Sequence, residues 1–349
     1  MSRIRPGIPT FKDSLINSFK NPSTLYSHYI SKSNYVPQID NSVLLKMKLK
    51  ASKDLRTLIQ GYAIHYLESG NVILTGDENG VIRAHDADTF NQKAELNLKT
   101  FGIVKFASGK KTNRSFYCCT LNSIKQVMYS SKEEKFYLVR TIKKKALKIF
   151  DILLIPERNL LLICGEDTRI EVWNTKTNRK MAGILSCPEQ KTCMTYIKLY
   201  NLLAVAIKSV KILIYSLFKK EKLWDINTGS TMNYPLTSLP FISGPNLLVI
   251  PLFEGKIVLW YISKKAPRKF GEYSVQGAPR TVVPINGGLN ILFSSEDNKL
   301  FSLDLETGAM ECCLESKELE SISCIYFIYK KNQLILGHYI SDYLEIYSF

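Results

Sequence analysis

The sequence predicts an all-β fold, a single ring of seven four-stranded blades, and three observations carry that prediction. From about residue 60 onward, short β-branched and aromatic runs alternate with Gly, Asp, Asn and Lys turns, and no long helical stretch intervenes. One hairpin pattern recurs with a period of about 44 residues, the length of a four-stranded blade. Seven such units plus a leader of about 40 residues account for all 349 positions.

The recurring unit is an apolar strand, an acidic or Gly-containing turn, and a second apolar strand ending in an aromatic or its substitute. The first copy reads Val72-Ile73-Leu74-Thr75-Gly76-Asp77-Glu78-Asn79-Gly80-Val81-Ile82-Arg83-Ala84-His85-Asp86. The pattern returns as Leu161-Leu162-Ile163-Cys164-Gly165-Glu166-Asp167-Thr168-Arg169-Ile170-Glu171-Val172-Trp173-Asn174. Weaker copies cover 203–216, 248–261, 291–304 and 334–348, and a degenerate one covers 115–129.

This pattern resembles the WD40-repeat family over about residues 43–349. The place of that family's Trp is held by His85, Met128, Trp173, Tyr215, Trp260, Leu303 and Tyr347, spaced by about 42 to 45 residues. The Trp-Asp dipeptide is missing at all of these positions. Trp173-Asn174 and Leu303-Asp304 come nearest, and Trp224-Asp225 lies one strand later. The family resemblance implies a β-propeller whose last blade is completed by the N-terminal strand. Val43-Leu44-Leu45-Lys46-Met47-Lys48-Leu49 is the expected closing segment, because the chain ends just after the third strand of blade seven. Closure removes two sheet edges that would otherwise invite aggregation. The expected division is a leader over 1–41 and a seven-bladed propeller over 42–349.

Composition narrows the function classes. With 45% hydrophobic and 11% aromatic residues, a packed core is expected. No window of 18 consecutive apolar residues suggests a membrane-spanning helix, and the first residues lack the apolar run of a secretory signal. Pro6, Gly7 and Pro9 would interrupt an amphipathic mitochondrial presequence. Eight cysteines without C-x-x-C spacing read as free thiols in a reducing compartment, so an intracellular protein of nucleus or cytoplasm is expected. The four histidines are scattered, and neither a metal nor another cofactor is expected.

Catalysis has little to stand on. His85 with Asp86 and Asp88 is the densest reactive group, but His85 takes the family's core-facing Trp position and Asp86 suits a strand-end cap. No Gly-rich phosphate loop precedes a helix, and the Phe-Arg-Arg-Gly signature of phosphoinositide-binding propellers is missing. No catalytic residue and no small-molecule substrate are expected.

The formal net charge of +16 points to acidic partners. Family geometry implies that the turns fall on two faces. Turns between second and third strands and the blade-to-blade crossings share the top; the other two kinds of turn share the bottom. The top turns are mostly acidic, with Asp77, Glu78, Glu166, Asp167, Glu254, Glu296, Asp297 and Asp342. The bottom collects five basic clusters, expected to dock acidic protein or phosphate backbone: Lys110, Lys111 and Arg114; Lys176, Arg179 and Lys180; Lys219 and Lys220; Lys264, Lys265 and Arg268; Lys330 and Lys331. Few aromatics interleave with them, so a base-stacking surface is not indicated. A separate basic run, Lys143, Lys144, Lys145 and Lys148, is expected on top between blades two and three. In the leader, Phe11, Leu15, Ile16 and Phe19 form one stripe of a short helix, which packs on the propeller itself or anchors a partner. The expected function is a non-catalytic scaffold for other proteins of a multi-subunit assembly, without membrane insertion. The alternative is an RNA-contacting component of a ribonucleoprotein or ribosome-assembly particle.

Overall fold

Hydrophobicity is graded across each repeat, and the grading decides which strand sits where. The computed structural model describes residues 48–53, 63–109, 114–144, 147–167, 169–181, 185–187, 189–230, 232, 234, 236–315, 322–338 and 344–348. The second strands are apolar almost throughout, and Leu202–Ile207 and Leu247–Leu252 are buried at every position. A run of that kind must be covered on both faces, which places it inside a sheet flanked by two others. Fourth strands such as Glu221–Asn227 and Arg268–Ser274 expose most of their side chains and form the rim.

The chain folds into a seven-bladed β-propeller, each blade an antiparallel meander paired in chain order from the inside out. Blade 1 runs from Ala63–Leu67 to Gln92–Asn97, blade 2 from Ile103–Ser108 to Lys135–Lys144, and blade 3 starts at Ile149–Ile155. Blade 3 has a divided rim, Arg179–Lys180 and Leu185–Ser186, both paired with Arg169–Asn174. Blade 4 runs from Lys191–Ile197 to Glu221–Asn227, blade 5 from Phe241–Ile242 to Arg268–Ser274, and blade 6 from Pro279–Ile285 to Met310–Glu315. The inner strand of blade 5 has only two residues, Phe241–Ile242, and Pro240 before it accepts the Val249 N–H through its carbonyl at 3.0 Å.

Blade 7 contributes Ile322–Ile328, Gln333–His338 and Leu344–Ser348, and its rim is Lys48–Lys53 from the other end of the chain. Leu49 pairs with Tyr347 and Ala51 with Ile346. The closure is as expected: the described strand shares Lys48 and Leu49 with the expected segment 43–49 and continues to Lys53. Lys48-Leu49-Lys50-Ala51-Ser52-Lys53 has the half-polar composition of a rim strand. Residues 43–47 and the leader with Phe11, Leu15, Ile16 and Phe19 lie outside the described residues.

The core is divided among the blade interfaces. Among the described residues there are seven apolar clusters, and each joins one blade to the next. The recurring residue at the end of the third strand belongs to these interfaces. Trp173, Tyr215, Trp260, Leu303 and Tyr347 each pack against the preceding blade. In blade 2 this position is Tyr129 and not Met128. Tyr129 is 2% exposed and Met128 is 37% exposed. The third strand Ser123–Ser130 pairs without a shift with the second and alternates unbroken, Ile124 facing blade 3 and Val127 and Tyr129 facing blade 1, so Met128 between them points away from that interface. A Cβ on Gly70 of blade 1 would lie 2.8 Å from the Tyr129 ring, so the preceding blade leaves room for it.

Candidate interaction surface

Backbone hydrogen bonds fix which turns share a face. After the inner strand, five blades turn through three residues followed by a left-handed asparagine: Asn71, Asn159, Asn201, Asn246 and Asn332, with φ between 47° and 59°. Short polar Asn adopts this conformation at lower cost than most residues. Its carbonyl then accepts the N–H of the turn between third and fourth strands. Ala87 donates to Asn71 (3.0 Å), Thr175 to Asn159 (2.7 Å), Leu217 to Asn201 (3.2 Å) and Ile262 to Asn246 (2.9 Å). These two kinds of turn therefore lie together at one end of the ring. At the other end, the crossings meet the turns between second and third strands: Gly102 donates to Glu78, Glu166 to Lys148, and Val275 to Gly255.

The turn between third and fourth strands is closed by a side chain from the residue after the interface position. Asp86 Oδ1 accepts the N–H groups of Asp88 and Thr89, and Asn174 Oδ1 those of Lys176 and Thr177. Asp304 does the same for Glu306 and Thr307, and Ser216 Oγ accepts from Lys219. The acids clustered near His85 are thus engaged in turn formation. His85 itself is buried against Thr75 (3.3 Å), and Asp88 accepts from Asn71 (2.7 Å) and Lys331 (2.6 Å).

The end bearing the asparagine turns holds the expected bottom residues, and they are unevenly distributed. Lys176, Arg179, Lys180, Lys219, Lys220, Lys264, Lys265 and Arg268 are all exposed there on blades 3 to 5, joined by Arg158 and Lys198. The exposed carboxylates among them are Glu157, 3.4 Å from Lys198, and Glu221, 3.4 Å from Lys219. Lys180 also reaches the buried Glu171 at 3.3 Å. Elsewhere on this end the charges pair across blades. Lys330 bonds Glu68 and Lys331 bonds Asp88, joining blade 7 to blade 1 at the closure. Lys93 pairs with Glu134 at 2.8 Å between blades 1 and 2. Arg114 is exposed on blade 2, and Lys110 and Lys111 lie outside the described residues.

Two side chains here escaped the sequence reading. Phe218 is 82% exposed and Leu199 is 62% exposed, both on the turns of blade 4. Phe218 directly precedes Lys219 and Lys220, so it is one of the few aromatics that adjoin a basic cluster. The available signal was position, since residue 218 falls in a turn, where an aromatic has no core to fill.

On the opposite end the acidic turns are chiefly structural. Asp77 is buried, accepts from Asn79 (2.9 Å) and Val81 (2.8 Å), and pairs with Arg83 at 2.8 Å. Glu166 accepts the Lys148 N–H at 3.0 Å, and Glu254 accepts that of Met232 at 3.0 Å. Asp342 lies outside the described residues. Lys143 and Lys144 end the rim strand of blade 2, opposite Ile124 and Ser123, and Lys148 is exposed on the crossing to blade 3. Lys145 is outside the described residues.

The inner strands surround a channel of about 520 Å³. Polar side chains in it join neighbouring blades. Lys105 of blade 2 pairs with Asp151 of blade 3 at 2.5 Å, and Asp151 also accepts the Met194 N–H of blade 4 at 2.7 Å. Burial opposes the charge on Lys105, and the Asp151 carboxylate more than offsets this, so the amine is held above its usual pKa. His65 bonds Ser108 of blade 2 at 2.7 Å, and burial, aided by Lys105, pulls its pKa down to about 4. His65 and Asp151 therefore have separate partners and make no histidine–carboxylate pair.

Burial raises the thiol pKa of Cys193 and Cys324 to about 12. Among the described residues no group of three His, Cys, Asp or Glu could hold a metal ion, and no helix is long and apolar enough to cross a membrane. The chain matches no protein-family model, and no curated protein matches it.

Proposed function

We propose that this propeller is a non-catalytic interaction scaffold of the WD40 type, a subunit of a larger assembly that uses the asparagine-turn end of blades 3 to 5 to hold acidic partners. A single observation carries the reading: ten exposed Lys and Arg side chains share that end with two exposed carboxylates, Glu157 and Glu221. Cations at this density create a field that attracts acidic surfaces and raises encounter rates, more strongly at low salt. The rest of the ring supports a scaffold. The interfaces are apolar and the turns are short, so loops project from a stiff frame and can vary without disturbing the core. In the channel, Lys105, Asp151 and His65 are tied into contacts between blades.

The test is affinity purification of the tagged protein from its own cells, with and without nuclease, read by mass spectrometry. A fixed set of companion proteins surviving nuclease is the expected result. Companions that disappear with nuclease would favour direct RNA contact. Alongside it, reversing Lys176, Lys219, Lys220, Lys264 and Lys265 to Glu is expected to release the protein from heparin at much lower salt. Unchanged retention would remove the role of this face.

A further inference from the structure

We infer that blade 4 carries the centre of this docking surface, an apolar seat made by Phe218 and Leu199 for an acidic protein segment that brings a hydrophobic side chain. The inference rests on the proposed acidic-partner role of this face and specifies its occupant.

Three observations lead to it. Phe218 and Leu199 stand on the two turns of one blade end, which the Leu217 N–H ties to the Asn201 carbonyl at 3.2 Å. Their neighbours in sequence turn inward: Tyr200 packs on the cluster between blades 4 and 5, and Leu217 on the cluster between blades 3 and 4. Anchored on both sides in this way, the turns hold the two exposed side chains outward on a fixed base.

The second observation is placement. Blade 4 lies at the middle of the basic arc, with Lys198 beside Leu199 and Lys219 and Lys220 beside Phe218. Large apolar groups surrounded by charge are the usual composition of an interaction centre, with apolar contacts inside and polar ones at the margin. The third is the nature of the charges. Lys198 and Lys219 are held by single carboxylates at 3.4 Å, each on an exposed residue. Pairs of this kind contribute little to stability, so a partner's carboxylates can replace them at low cost.

Charge complementarity selects an acidic partner, and the apolar pair selects a protein over nucleic acid. A phosphate backbone has nothing to cover an aliphatic Leu199, and one aromatic does not make a stacking track for successive bases. The cations nearest the seat are lysines, hydrated point charges without the bidentate fork that favours phosphate.

The experiment uses the full-length protein and a phage-displayed library of random 12-residue peptides. Selected peptides are synthesised with a fluorescent label and measured by anisotropy against wild type, the F218S/L199S double variant and the K219E/K220E double variant. A labelled 20-base-pair RNA duplex is measured in parallel. The expected result is peptides rich in Asp and Glu around a Leu, Phe or Trp, losing at least tenfold in affinity to F218S/L199S. Heparin retention of that variant should match wild type, which also reports an intact fold. Peptides that bind F218S/L199S as tightly as wild type overturn the apolar seat but leave the basic face standing, provided K219E/K220E weakens them. If neither double variant weakens them, the acidic-partner reading of this face fails as well. Duplex RNA that binds tighter than every peptide, and weakens with F218S/L199S, overturns the choice of a protein occupant.

Discussion

At the scale of single residues, the polar groups of the channel act as clips between blades, and two predictions follow from their geometry. Lys105→Met leaves the nearly buried Asp151 with the Met194 N–H as its remaining bonded partner. Removing one member of such a pair is expected to cost about 2 kcal/mol, less than the roughly 3–5 kcal/mol of a fully buried pair because Lys105 faces the open channel. Urea denaturation measures it, and a change below a few tenths would deny the clip its role. His65 gives a pH dependence. Its folded pKa near 4 lies below the ordinary 6.5, so the unfolded chain takes up a proton through that window while the folded chain does not. Stability from this group is complete above about pH 6.5 and declines as pH falls toward 4, by up to about 3 kcal/mol. The groups around the ring are Ser108, Tyr326 and Lys105. Urea midpoints from pH 7 to 4 should fall less steeply for His65→Gln than for wild type. Cysteine chemistry offers a third check at this scale. Cys312 is the exposed thiol, and burial raises its neighbour Cys313 to about 12. One thiol should react quickly with a disulfide reagent in the native protein, and Cys312→Ser should abolish that fast phase.

At the scale of elements, the asparagine turns and the closing strand carry the predictions. Asn159 is exposed and left-handed at φ 55°. Replacing it with Ala is expected to cost about 1 kcal/mol, while Gly should be close to neutral, because glycine accepts positive φ without a Cβ clash. Equal losses for both variants in urea unfolding would mean that the Asn side chain matters more than its backbone. The rim strand Lys48–Lys53 pairs with Leu344–Ser348. Truncation before residue 54 should therefore unfold at a lower temperature and self-associate more than truncation before residue 48. The six-residue difference uncovers the edge of Leu344–Ser348. Thermal melts and size-exclusion chromatography of the two truncations test this directly.

At the scale of the whole molecule, the ring is a cycle of apolar interfaces, and ion pairs supplement several of them, the seam included. Between blades 7 and 1 a small apolar cluster is supplemented by the Lys330–Glu68 and Lys331–Asp88 pairs. Two residues expected to serve docking are thus engaged at the seam. On the proposed reading the docking arc covers blades 3 to 5, so binding is expected to be directional around the ring.

What the sequence determined by itself was the repeat. A strand buried on both faces has to be apolar throughout, and a rim strand has to be half polar; both demands recur every 44 residues or so and can be read without coordinates. Asparagines 71, 159, 201, 246 and 332 keep the same period and were an unused second marker. The exact interface residue of blade 2 was hidden, because Met128 and Tyr129 are both apolar enough for the place and only the pairing of Val127 with Phe116 shows which alternate residues face blade 1. Only the tertiary structure decided which charges meet one another. Lys330 and Glu68 are 262 positions apart, and their meeting depends on closure of the ring. Phe218 differed in kind: its turn was legible, but that it shares one blade end with exposed Leu199 came from the tying together of two turns. Local periodicity is written along the chain, whereas the composition of a surface is set by which distant segments the closed ring brings side by side.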